Sequence, residues 1–371
     1  MLSVSERLAS LAPSATLAMS QKSNELKAQG IDVINLSVGE PDFNTPDHIK
    51  AAAKKAIDDN FSFYSPVPGY PALRKAICEK LKTENGLDYT PEQIVCSNGA
   101  KQSVCNVILA VIGKGDEVII PAPYWVSYPE MVKIADGTNV IVSAGIEQDF
   151  KITPQQLEEV ITPKTKAIIL CSPSNPTGSV YSKDELKGLA DVLAKYPDII
   201  IISDEIYEHI NYGGAHESIA QFENVRDRVV IVNGVSKGYA MTGWRLGWIA
   251  APKWIASACN TLQGQYTSGP CSISQKVVKM AREIPGLKTN EPKGAFYIFP
   301  DCSAYFGKSF NGTTIHNPED LALFLLAEAH VACVGGTDFG APTCIRMSYA
   351  TSDENLVKAF GWIKEALAKL S

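Results

Sequence analysis

The chain lacks any apolar run long enough to span a membrane, and it has no lysine and arginine run suited to nucleic acid. Its 40 acidic residues outnumber 34 basic ones, a net charge of −6 that gives no sign of a polyanionic partner. Cys-x-x-Cys pairs are absent. The nine cysteines are scattered, mostly among apolar neighbours as in Ile94-Val95-Cys96 and Ile169-Leu170-Cys171. That pattern argues against a disulfide framework or metal site and predicts reduced core thiols in a cytoplasmic protein. Residues 1–12 carry Glu6 and Arg7 and lack the apolar centre of a signal peptide. Gly-x-Gly-x-x-Gly, a Walker loop, internal repeats and low-complexity tracts are missing too. What remains is an ordinary soluble composition, 45% apolar and 20% charged over 371 residues, enough for two domains.

Continuous apolar strands are predicted at 94–97, 117–120, 166–171, 199–203 and 229–233, with helices between them. Such alternation implies a mostly parallel sheet covered on both faces. Turn chemistry marks the helices. Gly30 stops 14–28, Thr45-Pro46 caps a helix to 57, and Asn85-Gly86 stops 71–84. Ser182-Lys183-Asp184-Glu185 is a capping box. Gly99, Trp125, Asn175, Asp204, Ser236 and Lys237 all fall just past strand carboxyl ends, where open α/β sheets bind ligands. After residue 262 the alternation weakens. Strands at 31–38, 294–299, 331–334 and 345–349 with helices at 319–329 and 353–370 suggest a smaller α+β domain.

One stretch carries the chemistry: Gly234-Val235-Ser236-Lys237-Gly238-Tyr239-Ala240-Met241-Thr242-Gly243-Trp244-Arg245-Leu246-Gly247. A β-branched strand delivers Lys237 into a turn of small residues. Partial desolvation there lowers the amine pKa and favours the neutral nucleophile. Arg245, between Trp244 and Leu246, wants an anion, and a phosphate fits its fork. An amine able to condense with a carbonyl, beside a phosphate-binding arginine, suggests pyridoxal 5'-phosphate. Taken singly, other residues remain open to plainer readings. Asp204 suits a helix N-cap, Trp125 a core position and Arg346 a strand-edge salt bridge.

The fourteen-residue stretch resembles the lysine signature of class I/II aminotransferases of fold type I, and the aspartate-type branch resembles nearly the whole chain. The resemblance implies an α/β fold, a mostly parallel central sheet in a large domain with a smaller α+β domain. It implies residues 48–276 as the large cofactor domain, and 1–47 with 277–371 as the small one. Lys237 would carry pyridoxal phosphate covalently and then move the substrate proton. Arg245, Ser236, Gly99, Ala100 and Lys101 would surround the phosphate. Asp204 would pair with the pyridine nitrogen, Asn175 and Tyr207 would donate to the ring oxygen, and Trp125 would stack on the ring. Trp125 and Asn175 would also border the substrate. Arg346 would hold its α-carboxylate, with Gly39 approaching by backbone. Lys101 would face the distal carboxylate of aspartate or glutamate. Tyr64 would reach the phosphate of a second subunit, implying a homodimer with shared sites. No metal is implied.

The implied reaction is ping-pong transamination of L-aspartate with 2-oxoglutarate. The alternatives are an aromatic or prephenate aminotransferase, a C–S β-lyase, or a cofactor-binding protein without turnover. Prephenate-accepting relatives carry a basic residue just before Pro13-Ser14-Ala15-Thr16. Residues 8–12 contain none, and Arg7 is the nearest. There is one departure from the family. Ser272-Ile273-Ser274-Gln275 runs almost directly into Ile284-Pro285-Gly286-Leu287. Roughly two dozen residues of interdomain helix are absent, about 35–40 Å at 1.5 Å per residue. The clean flanks predict an interrupted chain within a few residues of Lys276, and a small domain less ordered than the large one.

Overall fold

The computed structural model describes residues 4–13, 15–281 and 296–371. Seven strands form the central sheet: β1 (Ile94–Ser97), β2 (Glu117–Ala122), β3 (Thr138–Ser143), β4 (Thr165–Cys171), β5 (Ile200–Asp204), β6 (Val229–Gly234) and β7 (Gly247–Ala250). Their order is β1-β7-β6-β5-β4-β2-β3. β3, β2, β4, β5 and β6 run parallel, while β7 is antiparallel to both β6 and β1. Alternate residues of each strand enter different cores. Ile201 and Ile231 pack on one face with Leu186 and Leu189 of the helix Lys183–Leu193. Ile202, Val230 and Val232 pack on the other with Val104 and Val107 of the helix Ala100–Val111. The apolar strands are continuous because both faces are covered, as the sequence pattern implies.

β3, β7 and the helix Ser127–Ile134 are not among the elements predicted from the sequence. β7 is placed by close approach: a Cβ on Gly247 would lie 2.2 Å from Ala100 N. The capping box at Ser182 and Glu185 forms as predicted. Thr45 does not cap. Pro46 takes the N-cap position of the helix Asp47–Asp58, and the Thr45 hydroxyl donates instead to Ala240 O at 2.6 Å.

The remaining strands are short. Ile34–Asn35 pairs in parallel with Val331–Ala332, and Ile345–Ser348 pairs antiparallel with Tyr297–Ile298 and Val334–Gly335. Ile34 and Leu36 share a core with Leu321, Leu325, Met347 and Ile363, so the N-terminal segment joins the C-terminal elements.

The expected interruption near Lys276 is not found. The helix Ser272–Ala281 runs straight across Lys276–Val277. Gln275 anchors it, accepting from Tyr70 N at 2.8 Å and donating to Ser65 Oγ and Pro270 O. The Ile284–Leu287 motif and the Gly294-Ala295 part of the predicted strand lie outside the described residues.

Candidate active site

The carboxyl ends of β1, β2, β4, β5 and β6 converge on a cavity of about 330 Å³. Gly39, Ala100, Lys101, Trp125, Asn175, Asp204, Tyr207, Ser236, Lys237, Arg245 and Arg346 all line it. Gly99 stands at its edge, against Arg245.

Lys237 leaves β6 through Gly234, where a Cβ would meet Leu246 O at 2.9 Å. Its Nζ donates to Gly39 O at 2.5 Å and lies 5.8 Å from the Tyr207 ring and 5.7 Å from the Phe296 ring. Burial, then Arg346 and Arg245, lowers the amine from an ordinary 10.5 to about 8, against the pull of Glu40 and Asp204. About a tenth of the amine is then neutral at pH 7, compared with well under a thousandth for a solvated lysine.

An anion cradle adjoins it. Gly99, at φ +85°, precedes the helix Ala100–Val111, which has no side-chain cap and no acidic residue in its first turn. Arg245 adopts a left-handed φ of +50°. That turn aims its guanidinium at Asn98 O (3.2 Å) and Thr242 O (2.9 Å). A Cβ on Gly99 would sit 2.4 Å from Arg245 Nη2. A helix N-terminus beside a guanidinium suits a phosphate.

Opposite lies a buried carboxylate. Asp204 accepts from Tyr128 Oη at 2.7 Å and Ile206 N at 3.3 Å. Among the described residues no lysine, arginine or histidine pairs with it. Burial raises its pKa from 3.8 to about 6, opposed chiefly by Tyr128. Asn175 Nδ2 reaches Tyr207 Oη at 3.5 Å, and the Tyr207 and Tyr297 hydroxyls are 3.2 Å apart. Arg346, 2% exposed, donates to Asn175 Oδ1 at 3.0 Å and Ser37 O at 2.7 Å. Its guanidinium lies 4.5 Å over the Tyr297 ring. Its Nε is buried without a partner among the described residues, a donor left for an incoming acceptor.

Lys101 Nζ sits 5.2 Å over the Trp125 ring, and partial burial with nearby Arg245 lowers its pKa. Tyr64 is the one predicted residue that the chain does not bring to its own cavity; it is 97% exposed. Sequence reasoning missed Tyr128, Tyr297, Glu40 and Thr242, which also line the cavity. Tyr128 stands three residues past Trp125, and its N–H reaches the Trp125 carbonyl at 3.0 Å.

The site tests well for pyridoxal phosphate. The unpaired buried carboxylate suits a protonated pyridine nitrogen, the cradle suits a phosphate, and the softened lysine suits an aldehyde. A doubly covered, mostly parallel sheet with a desolvated lysine beyond β6 and an anion cradle beside it suits a cofactor-dependent transferase. The sequence matches the aminotransferase class I and II family over residues 31–283 and 274–361, so the chain belongs to that pyridoxal-phosphate-dependent family. It is 48% identical over 400 aligned positions to a bifunctional aspartate aminotransferase and glutamate/aspartate-prephenate aminotransferase of Petunia hybrida, covering 100% of this chain and 84% of that one. It is 47% identical to an aspartate/prephenate aminotransferase of Cereibacter sphaeroides, covering 99% of each. The aspartate aminotransferase of Rhizobium meliloti superposes with a TM-score of 0.94 at 38% identity, covering 100% of both chains. That of Thermus thermophilus with maleate gives 0.91 at 39%, covering 99% of this chain and 100% of that one. The two family-matched stretches overlap at residues 274–283.

Proposed function

We propose that this aminotransferase moves the α-amino group of L-aspartate to 2-oxoglutarate by a ping-pong route. One observation carries the reading: a single cavity holds Lys237, Asp204, Arg245, Arg346 and Lys101. Two separate cations beside the reactive lysine suit a dicarboxylic amino acid. The names of the relatives, and the maleate in the Thermus thermophilus structure, support a dicarboxylate.

Bound pyridoxal phosphate supplies an aldehyde that takes up the amino group and a ring that draws electrons from the α-carbon. The chain's residues do the rest. Arg245, Ser236, Gly99 and Ala100 hold the phosphate. Asp204, ionised at pH 7, keeps a proton on the pyridine nitrogen. Asn175 and Tyr207 would donate to the ring oxygen, and Trp125 would lie against the ring. Arg346 would fix the α-carboxylate, with its Nε free to join, and the Gly39 backbone would approach the same group. Lys101 receives the distal carboxylate. Lys237, in its neutral form, takes the α-proton and returns it one position away.

The same reading makes the protein a cytoplasmic homodimer whose Tyr64 completes the partner's phosphate site. The exposure of Phe63 (80%) and Tyr64 (97%) supports a covered surface there. All nine cysteines are free, which suits a reducing compartment. Among the described residues no helix is long and apolar enough to cross a membrane. The large domain is residues 48–276 and the small one 1–47 with 277–371, supported by the shared core of Ile34, Leu36 and the C-terminal elements.

A second reading, prephenate as acceptor, is favoured by the names of the Petunia hybrida and Cereibacter sphaeroides relatives. The nearest basic residue to the Pro13 segment is occupied elsewhere, since Arg7 pairs with Asp136 at 2.8 Å. A substrate panel on purified protein decides. Aspartate should change the bound cofactor's absorbance, and 2-oxoglutarate should reverse the change. Oxo acid formed without any acceptor would mean a lyase. Cofactor that never responds to aspartate would mean a binding protein.

A further inference from the structure

The segment that ends β5 has two faces. Asp204 and Tyr207 line the cavity. Glu205 and Glu208 point the other way, into a second cluster whose carboxylates are 2% and 3% exposed. Glu205 accepts from Ser203 Oγ at 2.9 Å and Ser218 Oγ at 2.6 Å, and its Oε2 lies 2.9 Å from His216 Nε2. Glu208 forms an ion pair with Lys80, itself 2% exposed, from the helix Pro71–Asn85. Asn85 ties the same pair together, accepting from Lys80 at 2.7 Å and donating to Glu208 at 3.4 Å.

Two buried carboxylates face one buried ammonium. An uncompensated buried charge is expensive, so the cluster calls for a second cation. His216, 6% exposed and in contact with Glu205, is placed to be that cation. Glu205, Glu208 and His216 could together ligate a metal, but the Lys80 ammonium already pairs with Glu208. The other titratable groups facing the cluster are His209, 3.0 Å from Glu208, Glu84, 3.5 Å from Lys80, and Tyr89, which feels Glu205.

We propose that this cluster positions Asp204 and Tyr207 from behind, with His216 protonated, so that the hold on the cofactor weakens when His216 loses its proton. The inference rests on the roles of Asp204 and Tyr207 given above. The geometry gives it a mechanism. Asp204, Glu205, Tyr207 and Glu208 lie within five consecutive residues, so freeing the rear carboxylates frees the front side chains. Burial lowers the His216 pKa, but Glu205 and Glu208 outweigh it, and the result is raised above 6.5.

The test titrates the cofactor-free protein with pyridoxamine 5'-phosphate, which has no aldehyde for Lys237, from pH 6 to 9. Wild type, Glu205→Gln, His216→Gln, Ser218→Ala and Asp204→Asn are compared, with the melting temperature of each cofactor-free form. Glu205→Gln and His216→Gln should each weaken binding about tenfold at pH 7. Wild type should lose a similar factor as pH rises past the His216 pKa, and His216→Gln should show a flatter profile. If Glu205→Gln fails to fold, Ser218→Ala, which removes one donor, should still weaken binding about threefold. Folded variants that bind within twofold of wild type, beside an Asp204→Asn that binds poorly, would overturn the inference. An Asp204→Asn that binds normally would instead overturn the reading of the site itself.

Discussion

Tyr128 donates a 2.7 Å hydrogen bond to Asp204 in the wall of the cavity. The two residues are 76 positions apart, and the contact sets the state of the carboxylate. Burial pushes Asp204 up, and the Tyr128 hydroxyl pulls it back down. Tyr128→Phe removes that pull, so Asp204 should stay protonated to higher pH. The acid limb of the kcat/KM profile should move up by about one pH unit, with activity recovering at alkaline pH. An unmoved limb would show that Tyr128 only packs.

Lys237 should titrate early. Its amine is neutral above about 8 rather than 10.5. The rate of covalent capture of pyridoxal phosphate, trapped by borohydride, should therefore rise with pH with a midpoint near 8. Lys237→Ala should still bind the cofactor but trap none, and should lose transamination by several orders of magnitude. A midpoint near 10.5, or trapping in the variant, would place the reactive amine elsewhere.

Arg346 and Lys101 should separate by substrate. Each contact is a charge-assisted pair worth about 1.5–3 kcal/mol, or roughly 10- to 150-fold in kcat/KM. Arg346→Leu should weaken every amino acid by at least that much. Lys101→Ala should weaken aspartate and glutamate by that range and spare alanine and aromatic substrates. Equal losses across the whole panel for both variants would remove Lys101 from distal recognition.

Gly99→Ala should disturb the anion cradle rather than the fold. The added methyl is strained at φ +85° and meets Arg245 Nη2 at 2.4 Å. Arg245 is exposed enough to swing away, so the protein should fold. Affinity for pyridoxamine 5'-phosphate should drop about tenfold or more, while affinity for the phosphate-free analogue pyridoxamine should change little. Equal losses for both would point to a general distortion.

Much of this protein was determined by sequence order alone, wherever the relevant residues are neighbours in the chain. β6, its small-residue turn, Lys237 and Arg245 occupy one short stretch, so the strand and the reactive amine could be read together. The strand ends at Cys171 and Asp204 were legible because apolar runs stop there, and the register then sets those two residues side by side. Local chemistry also specified the Ser182 capping box, but it misjudged Thr45, whose hydroxyl serves Ala240 across the fold. Contacts between distant positions were decided only by tertiary structure. Tyr207 meets Tyr297 across 90 residues, Arg346 meets Asn175 across 171, and Lys237 meets Gly39 across 198. Propensity and periodicity describe the few residues within a turn or a strand; they carry no information about which loops a sheet brings together. The buried charges behind Asp204 are of the same kind. Glu205 and Glu208 read as ordinary polar residues until packing places Lys80 and His216 against them and excludes water.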